Sequence, residues 1–189
     1  MGDSALGRLN LMSTGAFVIA AAAIAVLALA APRRPRLPQL CFLVLAAFLI
    51  LNKVWSPQYV IWLVPLAVLS RPRTWCYVLW QLAEVAYFLG IWGYFVFLYR
   101  QPGDGGYAGI GTNWYFVILM VRLLSVAVLC SSVVWDILQP ERDRVRASGF
   151  NDDPAGGFLD GAPDKAVLTW PGARRRRPAE AGPATVSAG

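Results

Sequence analysis

The sequence predicts an all-α, polytopic transmembrane helix bundle of about five spans with a largely disordered C-terminal tail. Three observations carry that prediction. Of 189 residues, 57% are hydrophobic, and the mean hydropathy is +0.51, against roughly 45–50% apolar content in soluble domains. The apolar residues come in long blocks rather than interleaved with polar ones. Between Arg36 and Arg100 only Lys53, Arg71, Arg73 and Glu84 carry charge.

Crossing a bilayer core takes about 20 apolar residues as helix. The first span is expected near 14–31, Ala-rich and closed by Pro32. The second falls near 40–55. The third, near 59–70, is short and contains Pro65. The fourth and fifth fall near 75–99 and 114–135. These make a membrane domain over 1–135, followed by a tail over 136–189.

Charge sets the sidedness. Arg33, Arg34 and Arg36 follow the first span, Arg71 and Arg73 the third, and Arg142, Arg144 and Arg146 the fifth. The alternate connections hold only Lys53 in one, and Arg100 with Asp104 in the other. Short cytoplasmic loops collect Lys and Arg, so the N-terminus is expected outside and the tail in the cytoplasm of a plasma-membrane protein. That alternation requires the third segment to cross. A signal peptide ending in the first span is disfavoured, because its positive charge would precede the apolar stretch.

Aromatic residues mark the expected boundaries: Trp55, Tyr59 and Trp62; Trp75, Tyr77 and Trp80; Tyr99, Trp114 and Tyr115; and Trp135. Histidine is absent, which removes the commonest metal ligand and neutral-pH acid–base. Cys41, Cys76 and Cys130 show no metal or redox spacing and read as small buried hydrophobes. No metal, cofactor or nucleic-acid partner is called for. The tail carries eight acidic and eight basic residues among many Gly, Pro and Ala. Such a segment is expected to stay largely disordered, with Arg174 to Arg177 as a solvated run or a contact to anionic headgroups.

Polar residues interrupt the apolar blocks at few places, and these are the candidate functional residues. The stretch NKVWSPQY places Asn52, Lys53, Ser56, Gln58 and Tyr59 at the expected outer end of the second span. Lys53 alone would fit a side chain snorkelling to the headgroups. Pro57, however, forces Ser56 out of helical geometry and exposes polar groups, which favours a formed pocket. Gln81 and Glu84 lie one turn apart in the fourth span, with Tyr77 and Tyr87 on about the same face. Arg122 lies inside the fifth span and is one candidate partner for Glu84; Gln81 is another. Arg100 precedes QPGDGGYAGIG, a Gly-rich outer loop that matches no nucleotide fingerprint.

The stretch NKVWSPQYVIWLVPLAVLSRPR, together with WQLAEVAYFLGIWGYF, QPERDRVR and DDPAGGFLDGAPD, resembles the C-terminal part of the actinobacterial glycosyltransferase family 87 membrane proteins. These are polyprenol-phosphate-mannose-dependent mannosyltransferase-like enzymes of the GT-C superfamily. The resemblance implies transfer of a sugar, most often mannose, from a polyprenyl-phosphate donor to an extracytoplasmic glycan or lipid acceptor. Cleaving the anomeric C–O bond leaves a lipid phosphate, whose charge a placed cation stabilises. On this resemblance Lys53 is assigned that role, Gln58, Tyr59 and Asn52 contact phosphate or sugar, and Arg100 is a weaker candidate. The family's acidic residue in a first outer loop has no matching motif here, so no catalytic residue is assigned. The chain is therefore expected to correspond to the C-terminal portion of a longer enzyme. A small transporter or channel-like protein and a non-catalytic membrane scaffold are the alternatives.

Overall fold

The computed structural model describes residues 2–52, 56–101, 103 and 105–149. Lys53, Asp104 and the tail from 150 onward, including Arg174 to Arg177, lie outside the described residues.

The described residues form six α-helices: α1 (Gly2–Ala30), α2 (Leu37–Leu51), α3 (Val60–Ser70), α4 (Thr74–Tyr99), α5 (Thr112–Leu138) and the short α6 (Arg144–Ala147). Single 3-10 turns at Pro57–Tyr59 and Pro140–Arg142 lead into α3 and α6. No strand occurs among the described residues. Leu6–Ala30, Thr74–Tyr99 and Thr112–Leu138 are long and apolar enough to cross a membrane. The other two apolar helices, α2 and α3, are shorter, at 15 and 11 residues.

Boundaries follow from local chemistry. α2 begins at Leu37, three residues earlier than expected, because Pro38 sits in its first turn and Arg36 and Gln39 cap it. The Gln39 side-chain oxygen accepts from the Arg36 backbone N–H at 3.0 Å, satisfying a donor the helix start leaves open. α2 ends at Leu51, four residues before the expected end, with Asn52 as its C-cap. α1 runs back to Gly2, with no proline between Asp3 and Thr14 to stop it. α3 continues through Pro65, which removes one hydrogen bond.

α2 is the centre of the bundle, packed on α1, α3 and α5, while α4 pairs along its length with α5. Phe42, Ala46 and Leu49 of α2 meet Leu63 and Ala67 of α3 and Val126, Leu129 and Val133 of α5, all buried. The buried face of α4 reads Trp80, Ala83, Glu84, Tyr87, Gly90, Gly93. That of α5 reads Arg122, Val126, Leu129, Val133, Asp136, Ile137. Both stripes recur at three- and four-residue spacings, widened by the adjacent pairs Ala83–Glu84 and Asp136–Ile137, as one helix face does. Gly90 lets Ile118 of α5 approach closely: a Cβ there would lie 3.1 Å from its side chain. α1 lies at the edge, with Phe17 edge-on to Phe48 of α2 at 5.7 Å.

Candidate functional site

The three basic segments read from the sequence converge on one end of the bundle. Arg36, only 2% exposed, binds Asp143 through Nε at 2.7 Å and Nη2 at 3.2 Å. The same guanidinium donates to the carbonyls of Leu69 and Ser70 at 2.9 and 2.7 Å, closing the open C-terminus of α3. Gln39 donates to Asp143 at 3.1 Å. Asp143 also caps α6, accepting from the Val145 N–H at 3.0 Å. Asp136, equally buried, faces Arg71 at 3.5 Å and Arg73 at 3.9 Å. Arg146 donates to the Arg34 carbonyl, and Arg73 to that of Arg142. Two buried carboxylates thus hold together arginines from all three segments.

Sequence reasoning missed this cluster. The sequence places Asp136 and Asp143 in the expected tail, whereas in the structure Asp143 and Arg146 reach Arg36 and Arg34 at the start of α2. The available signal was local: an Asp just before a short helix-forming run, as an N-cap requires. Its partner lies 107 residues away in sequence.

A second polar group lies midway along the bundle. Arg122 donates through Nε to Glu84 Oε2 at 2.9 Å, and Trp80 donates from its indole N–H to Oε1 at 3.0 Å. The Arg122 guanidinium also sits over the Tyr87 ring, 4.7 Å from its centroid. Arg122 is 1% exposed and Glu84 6%. Of the two candidate partners for Glu84, the structure selects Arg122. Gln81 lies one turn away, and its amide Nε2 is enclosed with no hydrogen-bond partner among the described residues. Trp80, expected at the membrane boundary, is instead buried at 1% because the helical stripe turns it toward α5 and Glu84. Trp75, at 80% exposure, remains at the surface. Above the pair, Tyr94 and Tyr115 stack at 4.4 Å.

The Pro57–Tyr59 turn lies at about the same level. From Ser70 back to Val60, α3 climbs about 16 Å at 1.5 Å per residue. An equal climb along α4 from Thr74 reaches Glu84 and Val85, and the Pro57–Tyr59 turn packs on α4. Gln58 is exposed, Ser56 and Tyr59 are half-buried, and Tyr59 stacks on Trp62 at 4.8 Å. Asn52 ends α2, its N–H on the Phe48 carbonyl at 2.9 Å. Asn52 on one side and Gln58 and Tyr59 on the other thus flank residues 53–55, which lie outside the described residues.

Arg100 is elsewhere. It follows the last residue of α4, about 14 residues or ~21 Å beyond Val85. There it lines an open depression of about 360 Å³ with Val96, Tyr99, Gly105 and Tyr107. The Gly-rich loop beside it is fastened to α4: the Ile110 N–H donates to the Gly93 carbonyl at 2.8 Å. Gly109, with φ +81°, presses on the α4 backbone at Gly93 and Phe97.

Compared with models of protein families, with curated proteins and with solved structures, the chain gives no match.

Proposed function

We propose that the chain is the C-terminal membrane portion of a glycosyltransferase that moves a sugar, mannose first among those to test, from a polyprenyl-phosphate donor to a glycan or lipid acceptor. In this reading α1, α4 and α5 cross the plasma membrane, the arginine cluster lies on the cytoplasmic side, and α2 and α3 complete the five membrane segments. The observation that carries the reading is the Pro57–Tyr59 turn, which packs on α4, the helix that carries Glu84, with Gln58 exposed. Lys53 supplies the cation for the lipid phosphate, and Gln58 and Tyr59 supply hydrogen-bonding groups beside it. The long apolar faces of α1 and α4 supply the surface along which a polyprenyl chain lies.

Photocrosslinking tests it. A polyprenyl phosphate with its diazirine on the isoprene unit next to the phosphate, activated in membranes containing the chain, should label peptides spanning 52–59 and be competed by unlabelled polyprenyl phosphate. Labelling spread evenly over the lipid-facing residues of α1 and α4 would overturn the assignment. A non-catalytic membrane scaffold is the second reading, favoured by the saturated contacts among Glu84, Arg122 and Trp80.

A further inference from the structure

We infer that the arginine end of the bundle binds the headgroup of an anionic phospholipid, with Arg142 and Arg144 as its contacts beside Trp135. The inference rests on the membrane placement of α4 and α5 and not on sugar transfer.

Charge is the first support. Segments 33–36, 71–73 and 142–146 bring eight arginines to this end, against the three carboxylates of Asp136, Glu141 and Asp143. Eight against three leaves an excess of five positive charges. The chain from 150 to 189 holds five acidic and five basic residues, so its composition leaves that excess unchanged.

The two buried carboxylates answer the inward arginines. Asp143 takes Arg36 and lies 4.0 Å from Arg146, and Asp136 faces Arg71 and Arg73. Arg142 and Arg144 are exposed and have no carboxylate partner among the described residues; Glu141 is exposed on the same turn.

Arg142 is also held in place. Its carbonyl accepts from Arg73 Nη2 at 2.9 Å, which ties its backbone to the start of α4. Its guanidinium lies over the Trp135 ring, 5.6 Å from the centroid, and the Trp135 indole N–H donates to Gln139 at 3.1 Å. Stacking uses the face of a guanidinium, whereas its N–H donors lie in the plane. The donors that match two phosphate oxygens therefore stay available.

The neighbouring surface selects a lipid over a soluble polyanion. Trp75, in the first turn of α4, and Trp135, in the last turn of α5, are both exposed at the arginine end. Indoles at the end of a membrane helix lie at headgroup level. Further along the helices from that end, Leu79, Leu82 and Val128 are exposed and apolar. An acyl chain covers such a surface while its phosphate lies against Arg142 and Arg144.

Lipid titration decides it. The full chain, purified in detergent, is titrated with phosphatidylglycerol or with phosphatidylcholine of the same acyl chains, and bound lipid is counted by native mass spectrometry. Phosphatidylglycerol should bind about tenfold or more tightly, at about fivefold per arginine near the headgroup. Arg142→Gln combined with Arg144→Gln should reduce that preference to about twofold or less. Arg8→Gln, which removes a charge near the opposite end of α1, should keep it. Should the double variant fail to accumulate, Arg144→Gln alone should show a loss of about fivefold. Binding of both lipids without preference, or a preference kept by the double variant, would overturn the headgroup site alone. Displacement of phosphatidylglycerol by millimolar inorganic phosphate would overturn it too, in favour of a soluble anion. Retention of neither lipid by the unaltered chain would remove the membrane placement of α4 and α5, and the inference with it.

Discussion

Glu84 and Arg122 meet at 2.9 Å across the α4–α5 seam, 38 residues apart in sequence and both buried. Each would be costly alone in a membrane interior, and each supplies what the other needs. Removing one partner leaves a buried charge without its complement. Glu84→Ala or Arg122→Ala should therefore destabilise the bundle by about 3–5 kcal/mol. Glu84→Leu combined with Arg122→Met should recover much of that loss, since apolar replacements of a buried pair are often tolerated. Thermal unfolding of the purified variants in detergent checks both outcomes; a double variant as unstable as the singles would show that the two sites do not act as a pair.

Arg36 and Asp143 hold the chain after α5 against the bundle. Asp143→Ala should release residues 140–149 and speed tryptic cleavage at Arg142 and Arg144 by about tenfold, leaving α4 and α5 paired. Arg36→Lys should release it nearly as well. A point-charge ammonium cannot donate at once to Asp143 and to the carbonyls of Leu69 and Ser70. Unchanged cleavage in both variants would place the holding force elsewhere.

How much of this was legible in the sequence depends on the range of each contact. Glu84 and Arg122 could be named as candidates because any ionisable residue inside an apolar block needs a partner. Which partner Glu84 takes required the α4–α5 register. That the arginine segments belong together was legible; the two carboxylates that gather them at one end of the bundle were not, because Asp143 sits 107 residues from Arg36 in a polar stretch without apolar periodicity. Trp80 misled because an indole beside Trp75 looks interfacial, whereas its angular position on α4 sends it inward. The start of α2 was set by Pro38 and Gln39, capping chemistry that hydropathy does not see.

Gly109 carries a positive φ and has no room for a side chain. A Cβ there would lie 2.6 Å from the Gly93 carbonyl oxygen and in conflict with the Phe97 backbone. Gly109→Ala should cost about 1–3 kcal/mol and detach the loop, raising hydrogen exchange at Ile110. Gly93→Ala should be milder, because the added methyl meets the movable side chain of Ile110 rather than backbone. The reverse order would show that the loop is not held this way.

Convergence of the arginine segments on one end of the bundle makes sidedness testable. Single cysteines at Gly105 and Ala147 should react with an impermeant reagent from opposite faces of a sealed vesicle. Reaction of both from one face would exclude a single crossing by α5 between them.

The central functional claim is that the segment after α2 binds a lipid phosphate, and binding tests it most directly. Purified protein in lipid nanodiscs would be titrated with a short-chain polyprenyl phosphate, alongside Lys53→Ala and Lys53→Arg. The account predicts saturable binding, weakened about tenfold or more by Lys53→Ala and partly retained by Lys53→Arg, which keeps the charge but not its shape. Equal binding by Lys53→Ala, or none by the unaltered chain, would contradict it.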